Sequence, residues 1–319
     1  MQNCCTFAAM HYLGELISIG VAVSWTITAI LSEYASKQLG SITLNMLRMI
    51  FTLAFSIILF VIVLGNPLPA TGSTKAYLWM TLSGFVGFVM CDYCLMKCYM
   101  IIGSRFGQLF MTLSPLSAAF TAWILLDQEM KPMSILAMFI TLTGIFISIL
   151  GRSDKHLLSI KLPLNGIFYA ATAAVCQGIG LVISKVGLNY YETSMPTEVL
   201  AHTPWILPFC ANFFRCIAGL AGFSILMVFN RSFGRLLESF QHAKVQSAVV
   251  ATTIFGPFVG VAFSLMAVQY APAGIASTLM ALTPIIILLP AHFFFHQKIT
   301  KKGIIGACIS VLGVALFFN

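Results

Sequence analysis

Three ionisable side chains, Arg48, Asp92 and Arg215, stand inside stretches of sequence that are otherwise apolar. A charge in hydrocarbon costs about 2.5–3.5 kcal/mol on insertion scales, so each of them calls for a partner or a water-filled cavity. Arg48 follows Asn45 by three positions and Arg215 follows Asn212 by the same spacing, which puts each amide and guanidinium on one face of a helix. Such a pair suits a carboxylate or a phosphate, because the planar guanidinium presents paired N–H groups that match two oxygens. Asn45, Arg48, Asn212 and Arg215 are therefore candidate substrate-binding residues. The competing reading is that each arginine snorkels to the headgroups from near a helix end, or binds backbone carbonyls between helices. Arg215 lies some ten residues into its apolar segment and Arg48 about four, so Arg215 is the stronger candidate.

Asp92 is the most central carboxylate and the candidate for proton coupling, since a carboxyl group carried between water and an apolar surrounding exchanges a proton. An internal ion pair with Arg48 or Lys97 is the alternative. Trp25 and Gln177, 152 positions apart, occupy equivalent places in two related stretches, and both are candidates for a cavity wall. An aromatic ring and an amide suit a substrate of mixed polarity, although packing alone also accounts for Trp25. Pro115 and Pro284 fall inside the fourth and ninth apolar segments, where loss of a helical hydrogen bond makes them hinge candidates. Of nine cysteines, Cys91, Cys94 and Cys98 share a helical face. Zinc requires four ligands in closed geometry and cysteine in an apolar helix packs as a small hydrophobe, so no metal site is expected. Neither a cofactor nor a catalytic residue is expected, because HExxH, GxSxG and Walker A patterns are absent from the chain.

The elements that must hold these residues are set by composition. A chain of 319 residues that is 59% hydrophobic and 8% charged lacks the polar surface a soluble fold needs, and the bilayer becomes its solvent. Spanning a hydrocarbon layer of roughly 30 Å takes about 20 apolar residues per helix. Ten such segments are legible, near 13–31, 44–64, 77–101, 107–126, 134–150, 166–186, 206–229, 246–268, 274–295 and 303–318. The expected fold is all-α, a polytopic membrane protein with no soluble domain. The start Met1-Gln2-Asn3-Cys4-Cys5 lacks a basic region and a cleavage pattern follows nowhere near, so the first helix is expected to be retained. A net charge of +8 raises the question of nucleic acid, but the basic residues are scattered over short loops and no nucleic-acid partner is expected.

The chain also repeats itself. At an offset of 169, Met111, Leu113, Pro115, Ala122, Gln128, Ile135, Ile140 and Gly144 meet identical residues at Met280, Leu282, Pro284, Ala291, Gln297, Ile304, Ile309 and Gly313. Asn45/Arg48 and Asn212/Arg215 repeat at 167, and the jump from 152 to 167 marks an insertion in 189–204, read as a surface loop. Five helices per half is an odd number, so two equivalent halves must enter the membrane in opposite senses. The turn Asp127-Gln128-Glu129 is acidic where His296-Gln297-Lys298 is basic, which fits opposite faces. Loops after the odd-numbered segments hold twelve Lys and Arg and the others three, so the positive-inside rule puts the basic face in the cytoplasm and both termini outside. Small residues at Ser134, Ala137, Thr141, Gly144 and Ser148, and at Gly303, Gly306, Ser310 and Gly313, form stripes suited to close helix packing or to a homodimer contact; internal packing is the favoured reading.

Two five-helix repeats, each with an (S/T)-P in its fourth helix, a polar turn after it and a glycine late in its fifth, resemble the drug/metabolite transporter superfamily of EamA type. The motifs are Ser114-Pro115, Gln128 and Gly144, and again Thr283-Pro284, Gln297 and Gly313. The resemblance covers nearly the whole chain and implies repeats over 13–150 and 164–318. It further implies a secondary carrier for small polar or amphipathic metabolites in the plasma membrane, often exporting them, with helices 1–4 and 6–9 around a central cavity. Relatives commonly keep their termini in the cytoplasm, against the charge bias. One departure is that the acidic residue many members carry after the fourth helix is present as Glu129 but replaced by Lys298 in the second half. The expected function is secondary active transport by alternating access, coupled to a proton or to exchange. A channel or an intramembrane enzyme is the alternative, but neither a ring of filter residues nor a catalytic constellation is legible.

Overall fold

The computed structural model describes residues 12–150, 163–240, 243–286 and 301–316. All regular structure among them is helical. Among the described residues seven helices are long and apolar enough to cross a membrane: α1 (Leu13–Leu39), α2 (Ser41–Leu64), α3 (Thr74–Ser104), α4 (Phe106–Leu126), α6 (Leu164–Glu192), α7 (Pro204–Phe229) and α8 (Ala243–Tyr270). Three shorter apolar helices complete the set, α5 (Pro132–Leu150), α9 (Ala273–Ile286) and α10 (Lys301–Ala315). Helix is the outcome dictated by such sequence, because in hydrocarbon each backbone N–H must find its acceptor within the same segment. Large apolar side chains on the outside, such as Ile62, Phe120 and Phe229, are well exposed and face where lipid would lie. The expected end of the ninth segment, the turn around Gln297, Ala291, Lys298 and the basic run 151–162 lie outside the described residues.

Connections are tight. A single residue, Gly40 at φ 79° and ψ 160°, separates α1 from α2, and Gly103 at φ 83° and ψ 160° turns α3 into α4. That region of backbone space is open to glycine and closed to residues with a Cβ. In the 189–204 connection α6 continues to Glu192 and a short helix, Thr197–His202, follows. The Tyr191 hydroxyl donates to the Ala70 carbonyl, and the Ser73 N–H donates to Ser194 Oγ at 2.8 Å, so this insertion packs over the start of α3.

Two helices are broken. α4 ends its first piece at Met111 and resumes at Ser114; α9 ends its first piece at Met280 and resumes at Thr283. The breaks are equivalent at the 169 offset and lie immediately before the hinge candidates Pro115 and Pro284. Pro115 and Pro284 are each the second residue of the resumed piece, where a missing N–H costs nothing. Each proline ring excludes the carbonyl four residues earlier, which is that of Met111 or Met280, and the preceding helix stops there. α3 and α8 carry a second matched irregularity, π-helical turns at Phe85–Asp92 and Ile254–Phe258 that begin 169 residues apart. Pro257 lies inside the second and cannot donate to an i−4 carbonyl, which accounts for it. The first contains no proline.

Contacts at the helix ends give the directions. A Cβ at Gly14 would stand 2.7 Å from the Ala271 Cβ, so α1 begins where α8 ends. A Cβ at Gly166 would stand 2.5 Å from the Ile102 side chain, so α6 begins where α3 ends. The Ser104 N–H donates to Glu33 Oε2 at 2.9 Å at the start of α4, while the Ala273 N–H donates to Gln128 Oε1 at 3.2 Å where α4 finishes and α9 starts. α4 and α9 therefore run opposite ways.

α5 and α10 pack on one another along their small-residue stripes. The Ser310 hydroxyl donates to the Thr141 carbonyl at 3.1 Å, and a Cβ at Gly144 would overlap Ser310 while one at Gly313 would overlap Thr141. Ala137, Thr141 and Ser310 are fully buried there. The side chains of Ser148 and Gly303 lie outside the described residues.

Candidate functional site

A central cavity of about 80 Å³ lies among α1–α4 and α6–α9. Five sequence candidates reach its wall: Trp25, Arg48, Asp92, Gln177 and Arg215. Arg48 is the eighth residue of α2, deeper than its apolar segment suggested, because the helix starts at Ser41 with polar residues that are themselves buried. Both arginines are buried, at 4% and 5% exposure, and neither reaches out to the headgroups.

Arg48 is engaged through one nitrogen, while its Nε, among the described residues, is buried without a hydrogen-bond partner. Its Nη1 donates to Asp92 Oδ2 at 2.9 Å and to Asn45 Oδ1 at 2.8 Å. Of the two ion pairs weighed for Asp92, the structure has that with Arg48. Lys97 points elsewhere, its Nζ 5.9 Å from the Tyr93 ring and beside a polar pocket with Gly40, Thr43 and Arg231. Arg215 is in a different position. Among the described residues no carboxylate pairs with it, its Nε and Nη1 are buried without a hydrogen-bond partner, and its guanidinium carbon lies 5.0 Å from the centre of the Phe88 ring. The ring face offers a cation weak attraction in place of a counter-ion.

Glycines bring the arginines in. A Cβ at Gly256 would stand 3.0 Å from Arg48 Nη2, and one at Gly87 would stand 2.8 Å from Arg215 Nη2. Gly87 and Gly256 are equivalent at the 169 offset, so each guanidinium lies on the π-helical turn of the other half. A Cβ at Gly84 would overlap the Arg215 carbonyl, so α7 can approach α3 at this level only because residue 84 has no side chain.

Asn45 and Asn212 stand behind the wall instead of on it. Asn45 holds Arg48, and Asn212 Nδ2 donates to the Pro257 carbonyl at 2.6 Å, tying α7 to the π-helical turn of α8. The hinge candidates Pro115 and Pro284 are also off the wall, but their neighbours Ser114 and Thr283 are on it, together with Met111 and Met280. Cys91 is buried, and its single thiol proton has two acceptors in reach, the Ala173 carbonyl at 3.3 Å and Gln177 Oε1 at 3.4 Å. Among the described residues no group of three or more His, Cys, Asp or Glu converges as metal ligands do.

The wall is matched between halves. Trp25 and Gln177, Ala29 and Leu181, Arg48 and Arg215, Gly87 and Gly256, Met111 and Met280, and Ser114 and Thr283 are equivalent by offset, and every one lines the cavity. Sequence reasoning missed the glycines, methionines and hydroxyls of that set, along with Tyr99 and its partner Gln108. Extending the 169 offset upstream of Met111 would have found Gly87 and Gly256.

A solved crystal structure is similar to this chain with a TM-score of 0.68 and 18% identity, over 96% of each chain, a likeness of fold alone. No curated protein matches the chain. The EamA-like transporter family matches it twice, over residues 12–150 and 164–319, and so accounts for nearly every residue. With its apolar helices, its internal repeat and this double match, the chain belongs to the EamA-like transporter family of the drug/metabolite transporter superfamily, whose members are multi-pass membrane proteins that generally transport small molecules.

Proposed function

We propose that the chain is a secondary active carrier that moves a small metabolite by alternating access, built as two inverted five-helix repeats around one midplane site. The observation that carries this reading is the cavity wall, to which both halves contribute equivalent residues and at which both α4 and α9 are broken. Discontinuous helices at a repeat interface are the arrangement by which secondary transporters bind cargo inside a bilayer. The opposite directions of α4 and α9, and of α1 and α6, support the inversion. Export across the plasma membrane, driven by a proton or by exchange, is the mode the family resemblance favours, with Asp92 the coupling carboxylate. Binding one cargo against residues of both halves lets a rocking of one half against the other expose the same site to each side in turn.

Extracellular metabolomics of a strain lacking the protein identifies the solute to test. In proteoliposomes holding the full chain, that solute should show saturable uptake and counterflow, in which internal unlabelled solute accelerates entry of labelled solute. Flux that rises without saturation would mean a channel and would end the carrier reading.

A further inference from the structure

The two halves differ at one position of chemical consequence. Asp92 neutralises Arg48, and the residue equivalent to Asp92 at the 169 offset is Val261. Val261 lines the same cavity as Arg215 and packs against the apolar cluster that holds Phe88 and Cys216, the residue after Arg215. Where the first half has a carboxylate paired with its arginine, the second half has an isopropyl group at the equivalent position of the cavity wall. Among the described residues Arg215 retains two buried nitrogens with no acceptor, and the charged groups on the wall, Arg48, Asp92 and Arg215, sum to one net positive charge. A buried unpaired charge is costly, and an anionic group supplied from outside removes the cost.

Resting on the carrier reading and giving its cargo a chemical class, we infer that the transported molecule carries a single carboxylate, which docks on Arg215 over Val261 and completes the ion pair that the second half lacks. The guanidinium fork donates to two carboxylate oxygens, Phe88 covers its face, and Trp25 and Met280 offer apolar wall to the rest of the molecule. One free cation suits one negative charge. A phosphate monoester, which carries about −1.5 to −2 at pH 7, would over-neutralise the site, and a cation would be repelled.

The test uses the full-length protein in lipid nanodiscs and reads its thermal unfolding midpoint. With no ligand added, Val261→Asp places a tethered carboxylate before Arg215 and should melt about 2–4 °C above the near-isosteric Val261→Asn. In an Arg215→Gln background the order should invert, because the new carboxylate then has no cation. Acetate and benzoate are titrated into the wild type beside acetamide and benzamide. At least one acid should raise the midpoint, its amide should not do so at tenfold higher concentration, and the effect should vanish in Arg215→Gln. The acid titration stands whether or not the Val261→Asp variant folds.

Equal stability of Val261→Asp and Val261→Asn, or an amide as effective as its acid, overturns the inference. Acid binding without counterflow of any acid would leave the anion site standing and sink the carrier. Counterflow of a neutral or cationic solute undiminished by Arg215→Gln would do the reverse.

Discussion

At the scale of single residues the membrane turns sequence into a short list, because ionisable groups in apolar helices are few and expensive. Arg48, Asp92 and Arg215 were legible on that ground and all three reach the cavity. Asn45 and Asn212 were legible as partners on a helical face, but spacing alone does not say whether an amide faces the cargo or supports the arginine from behind. The two readings place the same residue on the same helix and differ only in rotation, which packing decides. The Arg48–Asp92 pair has its own consequence. Removing one member of a buried pair leaves the other uncompensated and costs about 3–5 kcal/mol. Asp92→Asn should therefore lower the unfolding midpoint of the detergent-solubilised protein, and so should Arg48→Gln. The double variant should recover much of the loss, with a coupling of about 0.5–3 kcal/mol in the cycle. Additive losses would mean that the 2.9 Å contact contributes nothing to stability. If Asp92 is the proton carrier, the double variant should also retain counterflow while losing its dependence on pH.

At the scale of elements, the positions of the helices were readable and their interruptions were not. Hydropathy marks where a segment sits in lipid but is blind to one residue of break within it, and Thr112-Leu113 and Ala281-Leu282 are as apolar as their surroundings. The prolines gave the signal, but it had to be read four residues upstream, where the ring excludes a carbonyl, instead of at the proline itself. The π-helical turn at Phe85–Asp92 has no such marker. If the break in α4 serves rearrangement of the site, then Pro115→Ala restores the missing N–H, allows a bond to the Met111 carbonyl and favours continuous helix. The variant should insert normally and melt no lower than the wild type. Its counterflow rate should fall several-fold, with little change in the concentration at which flux saturates. A rate equal to the wild type would assign the break to static packing of Ser114 and Met111 around the cavity.

At the scale of the whole molecule the proposal depends on inversion, and inversion was legible only as parity, from five apolar segments per repeat and from a turn that is acidic in one copy and basic in the other. The structure supports it through helix-end contacts that sequence could not supply. The face holding Gln128, Lys185 and the start of α9 is opposite the face holding Gly40, Lys97 and Asn230. Glu129 and Asn230 are both exposed and are suited to impermeant maleimide labelling in intact cells once changed singly to cysteine. The background is favourable, since Cys91, Cys94, Cys98, Cys176, Cys210 and Cys216 are buried and inert to such a reagent. Cys4, Cys5 and the exposed Cys308 need replacement first. A label at 129 should react from outside or inside and a label at 230 only from the other side. The basic connections after α1, α3 and α7 lie with Asn230, so the positive-inside rule assigns that face to the cytoplasm and predicts reaction at 129 in intact cells and at 230 only after permeabilisation. The reverse pattern would turn the molecule over and keep its architecture. Reaction at both positions from one side would leave α4 and α9 running the same way across the bilayer, and a site shared by equivalent halves could not then be presented to each side in turn.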